Sequence, residues 1–219
     1  MLAVIVEMTA AITHGIRNPL ASIRTSAELL QEDASTATRE AADDITAEVD
    51  RLSEWVRQLL TYSAQEPARL EAVPLAPLLR SSVEGFEREM QRRGIVLDLA
   101  IAPTLPAVRG ERVRLSHALN SLLSNALEAM PGGGQLQVTA QVAAKGHSVH
   151  VTIRDSGVGI PREQLARVFA PFFTSKRKGL GLGLPLVNRI VTRFGGAVSI
   201  ASEPGQWTEV QVELPMHTA

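Results

Sequence analysis

The apolar positions of the chain repeat with two different periods, and the change from one to the other divides it. Over residues 36–66 they fall at Ala42, Ile45, Val49, Leu52, Val56 and Leu59, in alternating steps of three and four. That is a heptad seam, and it predicts an amphipathic helix. Upstream, Ile12, Ile16, Ile23, Ala27 and Leu30 form a similar stripe. The polar stretch "QEDAST" between them offers Asp33, Ser35 and Thr36 as helix N-caps, so the two stripes read as a helical hairpin. Two helices cannot enclose a seam of this length, and no third heptad helix follows. Pairing of two copies into a four-helix bundle is the economical solution, which predicts a homodimer.

The stretch "SAQEPARLEAVPLAPLL" is a proline-punctuated connector, and beyond it helical and strand patterns alternate. A helix is expected roughly over 75–93, then a strand in "IVLDLAI" and a second helix at about 111–130. Two strands, "QLQVTAQVA" and "HSVHVTIRD", flank the turn "AKG". Short helices near 162–168 and 184–194 precede the last strands, "AVSIAS" and "TEVQVELP". The order predicts an α+β fold, a mixed sheet with helices on one face behind the helical hairpin. The expected domains are 1–66 and 67–219, the connector opening the second.

Composition narrows the classes of function. The 219 residues are 45% hydrophobic, enough for a core, and carry a net charge of −1, which gives no footprint for nucleic acid or an anionic membrane. Cysteine is absent, which excludes disulfides and suits a reducing cytoplasm. The opening "MLAVIVEMTAAIT" contains Glu7, is too short to span a bilayer and lacks the marks of a signal peptide. A soluble cytoplasmic chain is expected.

Candidate chemistry begins in "THGIRNPLASIRTSAELL", residues 13–30. Pro19 removes a helix hydrogen bond and crowds the carbonyl four residues back, at a cost of roughly 3 kcal/mol, so it disturbs the turn beginning just after His14. His14 stands about 200° around the helix from Ile12 and Ile16, away from the seam. Four features follow in the second domain. "LNSLLSNALEAM" (119–130) places Asn125 and Glu128 one turn apart on one side of a helix. "DSGVGIP" (155–161) follows a strand; Gly157 and Gly159 permit close backbone approach to a ligand, and Asp155 offers an acceptor for an amine. "FAPFFTSK" (169–176) is an aromatic cluster leading into Lys176, Arg177 and Lys178. "GLGLGLP" (179–185) is a glycine-rich loop entering a helix, a combination whose backbone N–H groups bind phosphate. Singly these are weak signals; an isolated D-x-G-x-G is more often a plain turn.

Together and in this order they resemble the catalytic core of a two-component sensor histidine kinase, from about Thr9 to Pro215. "HGIRNPLASI" is similar to the H box, "NSLLSNALEAM" to the N box, "FAPFFTSK" to the F box, and "DSGVGIP" and "GLGLGLP" to the glycine boxes. The short stretch between the F box and the last glycines resembles sensors of the nitrogen-regulation type. The resemblance implies a dimeric four-helix bundle joined to an α/β sandwich of the histidine kinase, gyrase and chaperone ATPase type. It implies that His14 accepts a phosphoryl group from ATP and that Asn125 holds Mg²⁺ against the phosphates. Asp155 would bind the adenine amino group, with Gly157 and Gly159 shaping its pocket. Glu128, Phe172 and Lys176 would line the nucleotide site, and Gly179, Gly181 and Gly183 would belong to the lid over it. Asn18 matches the position associated with dephosphorylating the response regulator. Implied partners are a second copy, a receiver domain with its phosphoacceptor aspartate, and a sensory domain or signalling subunit outside this chain.

Four positions depart from the family pattern. Gly15 stands where an acidic base usually follows the histidine, Ser121 where a second asparagine is usual, Leu180 where threonine is common, and Trp207 where glycine is usual. Gly15 leaves open a nucleotide-binding dimeric scaffold or phosphatase with weak kinase activity. An ATPase of the gyrase, mismatch-repair and chaperone group is disfavoured, because Ser121 stands where that group carries its water-activating carboxylate. His117, His147, His150 and His217 have no acidic or cysteine partners at metal-ligand spacing, so no zinc site is expected.

Overall fold

The heptad pattern folds as helix: every described residue between 20 and 56 is helical. The computed structural model describes residues 70–144, 146–174 and 181–217 throughout, and in the earlier span 20, 21, 23–25, 27, 28, 38, 39, 42–47, 49, 50, 52, 53 and 56. The chain divides into two units, Met1–Glu66 and Pro67–Ala219.

In the first unit Ala42, Val49 and Val56 are buried, as are Leu20 and Ala27, all at seven-residue spacing. Of the described alternate positions, Leu52 is half-buried and the other two face outward. Ile23 is 47% exposed and Ile45 40%. The seam read from sequence is therefore split, one half turned inward and the other left on the surface, and Leu20 rather than Ile23 supplies the inward position. A single helical partner covers only one side of a stripe this wide. Arg24 ties the two helical stretches together, its guanidinium 2.8 Å from Glu28 and 2.6 Å from Asp50. These carboxylates, Glu28 foremost, hold the guanidinium pKa above its ordinary value.

The second unit runs β1 (Glu71–Val73), α1 (Leu75–Glu84), α2 (Glu87–Arg93), β2 (Ile95–Ile101), β3 (Val108–Gly110), α3 (Arg112–Ala129), β4 (Gly134–Val142) and β5 (Ser148–Asp155). It continues with α4 (Arg162–Leu165), α5 (Gly183–Arg193), β6 (Ala197–Glu203) and β7 (Trp207–Pro215). The main sheet has the order β2-β4-β5-β7-β6, with β2 parallel to β4 and every other pair antiparallel. Alternation along the strands makes one face apolar. Leu136, Val138 and Ala140 of β4, Val149, Val151 and Ile153 of β5, and Val210, Val212 and Leu214 of β7 are buried on it. Against this side α3 brings Leu115, Leu119, Leu122 and Leu123, and α5 brings Leu186, Val187, Ile190 and Val191. The other face is polar: Gln137 donates to Asp98 at 2.9 Å, Arg154 pairs with Glu209 at 3.3 Å, and His150 lies 3.8 Å from Glu213.

The mixed sheet with helices on one face is as the sequence implied; two details differ. The helix expected over 75–93 is broken at Gly85 and Phe86, whose N–H groups turn back to Ser81 and Val83 at 3.2 and 2.9 Å. The connector also holds a strand: β1 pairs with β3 in a two-stranded antiparallel ribbon, Val73 opposite Val108. Among the described residues no helix is long and apolar enough to cross a membrane.

Leu123 is 1% exposed on α3, which joins sheet and helices. Leu123→Ala is expected to lower stability by about 2–5 kcal/mol, read as a drop in the thermal midpoint of the second unit.

Candidate functional site

At one end of the sheet a single row of residues crosses four strands. Leu136 on β4 stands opposite Asp155 on β5, Asp155 opposite Thr208 on β7, and Thr208 opposite Ser202 on β6. Three of the four are polar, although the row lies on the face that is otherwise core. Asp155 is 5% exposed and Thr208 7%. A carboxylate is buried in this way only when it is satisfied or awaits a ligand. One oxygen of Asp155 accepts the Gly157 N–H at 2.9 Å, closing the turn that follows β5.

That turn is fastened on three sides. Ser156 exchanges contacts with Gln135, its N–H donating to the Gln135 carbonyl at 3.1 Å and its hydroxyl accepting the Gln135 N–H at 2.8 Å. Val158 N–H donates to the Ala129 carbonyl at the end of α3, at 3.0 Å. Val158 carbonyl accepts from Gly205 at 2.7 Å, and Ile160 N–H donates to the Ser202 hydroxyl at 2.8 Å. Gly157 is glycine because a Cβ there would stand 2.4 Å from the Ala129 oxygen. Gly159, at φ +67°, would place a Cβ 2.3 Å from the Glu203 oxygen. At both positions the glycine lets the turn approach the protein's own backbone.

Asn125 lies one turn before Ala129 on α3, about 6 Å along its axis. Beside it α5 begins. A Cβ on Gly183 would stand 3.0 Å from the Ser121 hydroxyl oxygen and 3.2 Å from Asn125 Nδ2. Among the described residues no side chain caps this N-terminus, and its first turn carries no acidic residue. The first N–H groups of a helix are left without intrahelical partners and carry partial positive charge. Pro185 occupies the same first turn, where its missing N–H costs little. Glu128, on α3 with Asn125, accepts from Ser124 at 3.2 Å. Gly181, at φ +68°, would bring a Cβ within 2.6 Å of the Phe173 oxygen, and its carbonyl accepts the Phe172 N–H at 3.0 Å. Phe172 itself holds a left-handed backbone, φ 64°, with its ring exposed. Such a conformation costs a non-glycine residue about 1–3 kcal/mol.

The structure thus brings together Asn125, Glu128, Gly183, Asp155, Gly157 and Gly159 around the C-terminal half of α3, with Phe172 and Gly181 paired nearby in sequence to α5. His14, Asn18, Lys176 and Gly179, and with them Gly15 and Leu180, lie outside the described residues. The Trp207 side chain is turned to the opposite face, its ring 4.2 Å from the Arg154 guanidinium, so the ring does not touch the row of Asp155. Ser121, which stands where a second asparagine is usual, faces Gly183. Sequence reading missed Ser202 and Thr208, whose place beside Asp155 is set by cross-strand register and carries no local motif. Among the described residues no group of three His, Asp or Glu is placed to hold a metal ion.

Residues 110–218 match the model of the family described as histidine kinase-, DNA gyrase B-, and HSP90-like ATPase. Residues 5–68 match that of the His Kinase A (phospho-acceptor) domain. The chain is similar to the sensor histidine kinase ZraS of Escherichia coli (strain K12), at 34% identity over 96% of this chain and 45% of that protein. It is also similar to sporulation kinase E of Bacillus subtilis (strain 168), at 26% identity over 98% of this chain and 29% of that one. The chain spans less than half the length of either. Among solved structures, full-length ShkA in complex with AMPPNP gives a TM-score of 0.80 at 29% identity, over 97% of this chain and 46% of that one. ThkA in complex with the response regulator protein TrrA gives 0.70 at 26% identity, over 96% and 61%.

The junction between α3 and the turn after β5 is open to a direct test. Gly157→Ala is expected to cost about 1–3 kcal/mol, because the added methyl meets fixed backbone. Gly132→Ala, where no atom lies within 4 Å of the new carbon, serves as the neutral comparison. Chemical denaturation of the two variants checks both.

Proposed function

This chain belongs to the sensor histidine kinases, and we propose that it transfers the γ-phosphoryl group of ATP to its own His14. From there the group passes to an aspartate of a response regulator receiver domain. In this reading residues 1–66 are the dimerisation and phosphotransfer hairpin and 67–219 the ATP-binding domain. The observation that carries it is the meeting of Gly183 with Asn125: an uncapped helix start, stripped of its Cβ, lies against a carboxamide one turn from the junction that positions Asp155.

Each group then has a task that its chemistry suits. The N-terminus of α5 attracts the phosphates by its unpaired N–H groups and dipole. Asp155, buried at the end of β5, accepts from the exocyclic amine of adenine. Glu128, Phe172, Lys176, Gly179 and Gly181 border the nucleotide, the last two in the lid. Asn125 would hold Mg²⁺ through its carboxamide oxygen, an oxygen ligand of the kind that ion prefers, and the metal supplies neutralisation of phosphate charge when bound. His14, as a neutral imidazole, attacks the γ-phosphorus; an N–P bond forms, the bond to the bridging oxygen breaks, and ADP leaves. Asn18 would position water for the reverse duty, dephosphorylation of the partner. The AMPPNP bound by ShkA and the response regulator bound by ThkA support this choice of nucleotide and partner.

The outward halves of the seam, Ile23 and Ile45, support a homodimer in which a second copy covers them. The short stretch ahead of Gly181 supports the nitrogen-regulation type, and a cysteine-free chain that uses ATP suits a cytoplasmic location.

Incubation with γ-labelled ATP and Mg²⁺ tests the central step. Acid-labile label on the protein is expected, lost in His14→Gln with ATP affinity unchanged. Free phosphate without label would instead support an ATPase, and binding without turnover the scaffold that Gly15 suggests. The dimer is tested at Ile45, whose exposure within one copy spares the hairpin itself. Ile45→Glu is expected to shift light scattering from dimer to monomer, because it would bury a charge at the interface.

A further inference from the structure

The row that crosses the sheet at Asp155 ends in two hydroxyls, and counting their protons decides which way each one points. Ser202 has one proton to donate and two lone pairs to accept with. Three partners surround its oxygen. Ile160 N–H, which only donates, lies at 2.8 Å; the Trp207 carbonyl, which only accepts, lies at 2.7 Å; Thr208 Oγ1 lies at 3.0 Å. The proton of Ser202 is therefore committed to Trp207. The remaining contact exists only if Thr208 donates into it. With its own proton drawn toward β6, the Thr208 hydroxyl keeps lone pairs alone for the opposite side, where Asp155 stands in register on β5.

We infer that Ser202 is a positioning residue that fixes the polarity of the Thr208 hydroxyl, so that Asp155 and Thr208 together present only acceptors to the purine bound there. An amino group at the purine 6-position finds acceptors for its protons. An oxo group in that place meets lone pairs on both sides, with no donor able to rotate toward it. Ser202 thus contributes to choosing an aminopurine over an oxopurine without touching the base. This rests on the reading of Asp155 as the group that binds the base.

The test is equilibrium binding of ATP and GTP, each with Mg²⁺, to the full chain. Removing the Ser202 hydroxyl releases the Thr208 proton to turn toward the base. Ser202→Ala is expected to reduce the ATP-over-GTP preference by about tenfold, the scale of one hydrogen bond, and Ser202→Thr to restore it. In a Thr208→Val background there is no proton to release, so adding Ser202→Ala should leave the preference where Thr208→Val alone puts it. Loosening of the Ile160 and Trp207 contacts would weaken both nucleotides alike and leave their ratio untouched, so an unchanged ratio in Ser202→Ala overturns the inference. Should Ser202→Ala not fold, Thr208→Ser against Thr208→Val decides: the preference kept by Ser and lost by Val supports it, and equal preferences overturn it. Asp155→Asn separates the two levels. If it lowers the preference while Ser202→Ala does not, only Ser202 loses its role; if neither changes it, the base-binding reading fails as well.

Discussion

One backbone contact sets the geometry on which the rest of the site depends. Ala129 is the last residue of α3, and its carbonyl, like those of any final helical turn, has no partner within the helix. Val158 N–H supplies one at 3.0 Å, from a turn in which Gly157 has no Cβ to hold the strands of chain apart. The obligation of a helix end is thereby met by the loop that follows β5. Because α3 is rigid and Asn125 lies one turn back along it, this contact also fixes Asp155 relative to Asn125. Gly183 then places α5 against the same helix. Two elements far apart in sequence, 155–159 and 181–185, come to bear on one stretch of α3, the first from its end and the second from its side.

Periodicity made most of the fold legible. The strands of the main sheet and the helices α3 and α5 stand within about two residues of their expected positions, because each is long enough for several repeats of its period. What was missed is what has no period. Strands β1 and β3 have three residues each, and β1 lies in a proline-punctuated connector; only their pairing, Val73 opposite Val108, makes them strands. The break at Gly85 was illegible for a related reason: α1 and α2 both carry helical patterns, and nothing local distinguishes a turn between them from a tolerated glycine.

The candidate site was legible to the extent that its residues lie in local motifs. Asn125, Asp155, Gly157, Gly159 and Gly183 could be named because the motif surrounds each one. Ser202 and Thr208 could not, because their meaning is cross-strand register. Six residues apart on a hairpin, they become neighbours of Asp155 only once β5, β7 and β6 are aligned. The width of the apolar stripe in the first unit was likewise plain, while its division into an inward and an outward half was not. A sequence shows how much of a helix is apolar; which part the intramolecular partner covers depends on packing.

The glycines of this chain show why a motif and its physical cause are separate matters. Gly157 and Gly159 lie in a turn that a ligand would be expected to approach, yet a side chain at either would strike Ala129 or Glu203. Their smallness serves the protein, drawing α3, the turn and the β6–β7 hairpin together until Asp155 is nine-tenths buried or more. Gly183 is different, because the atoms a Cβ would crowd are the Ser121 hydroxyl and the Asn125 carboxamide, side chains able to move by tenths of an ångström. A substitution at Gly157 therefore acts on folding first and on the proposed nucleotide site through it. One at Gly183 acts on the polar groups themselves. The same residue type, in two motifs of similar appearance, is required at one position by backbone packing and at the other by side-chain chemistry.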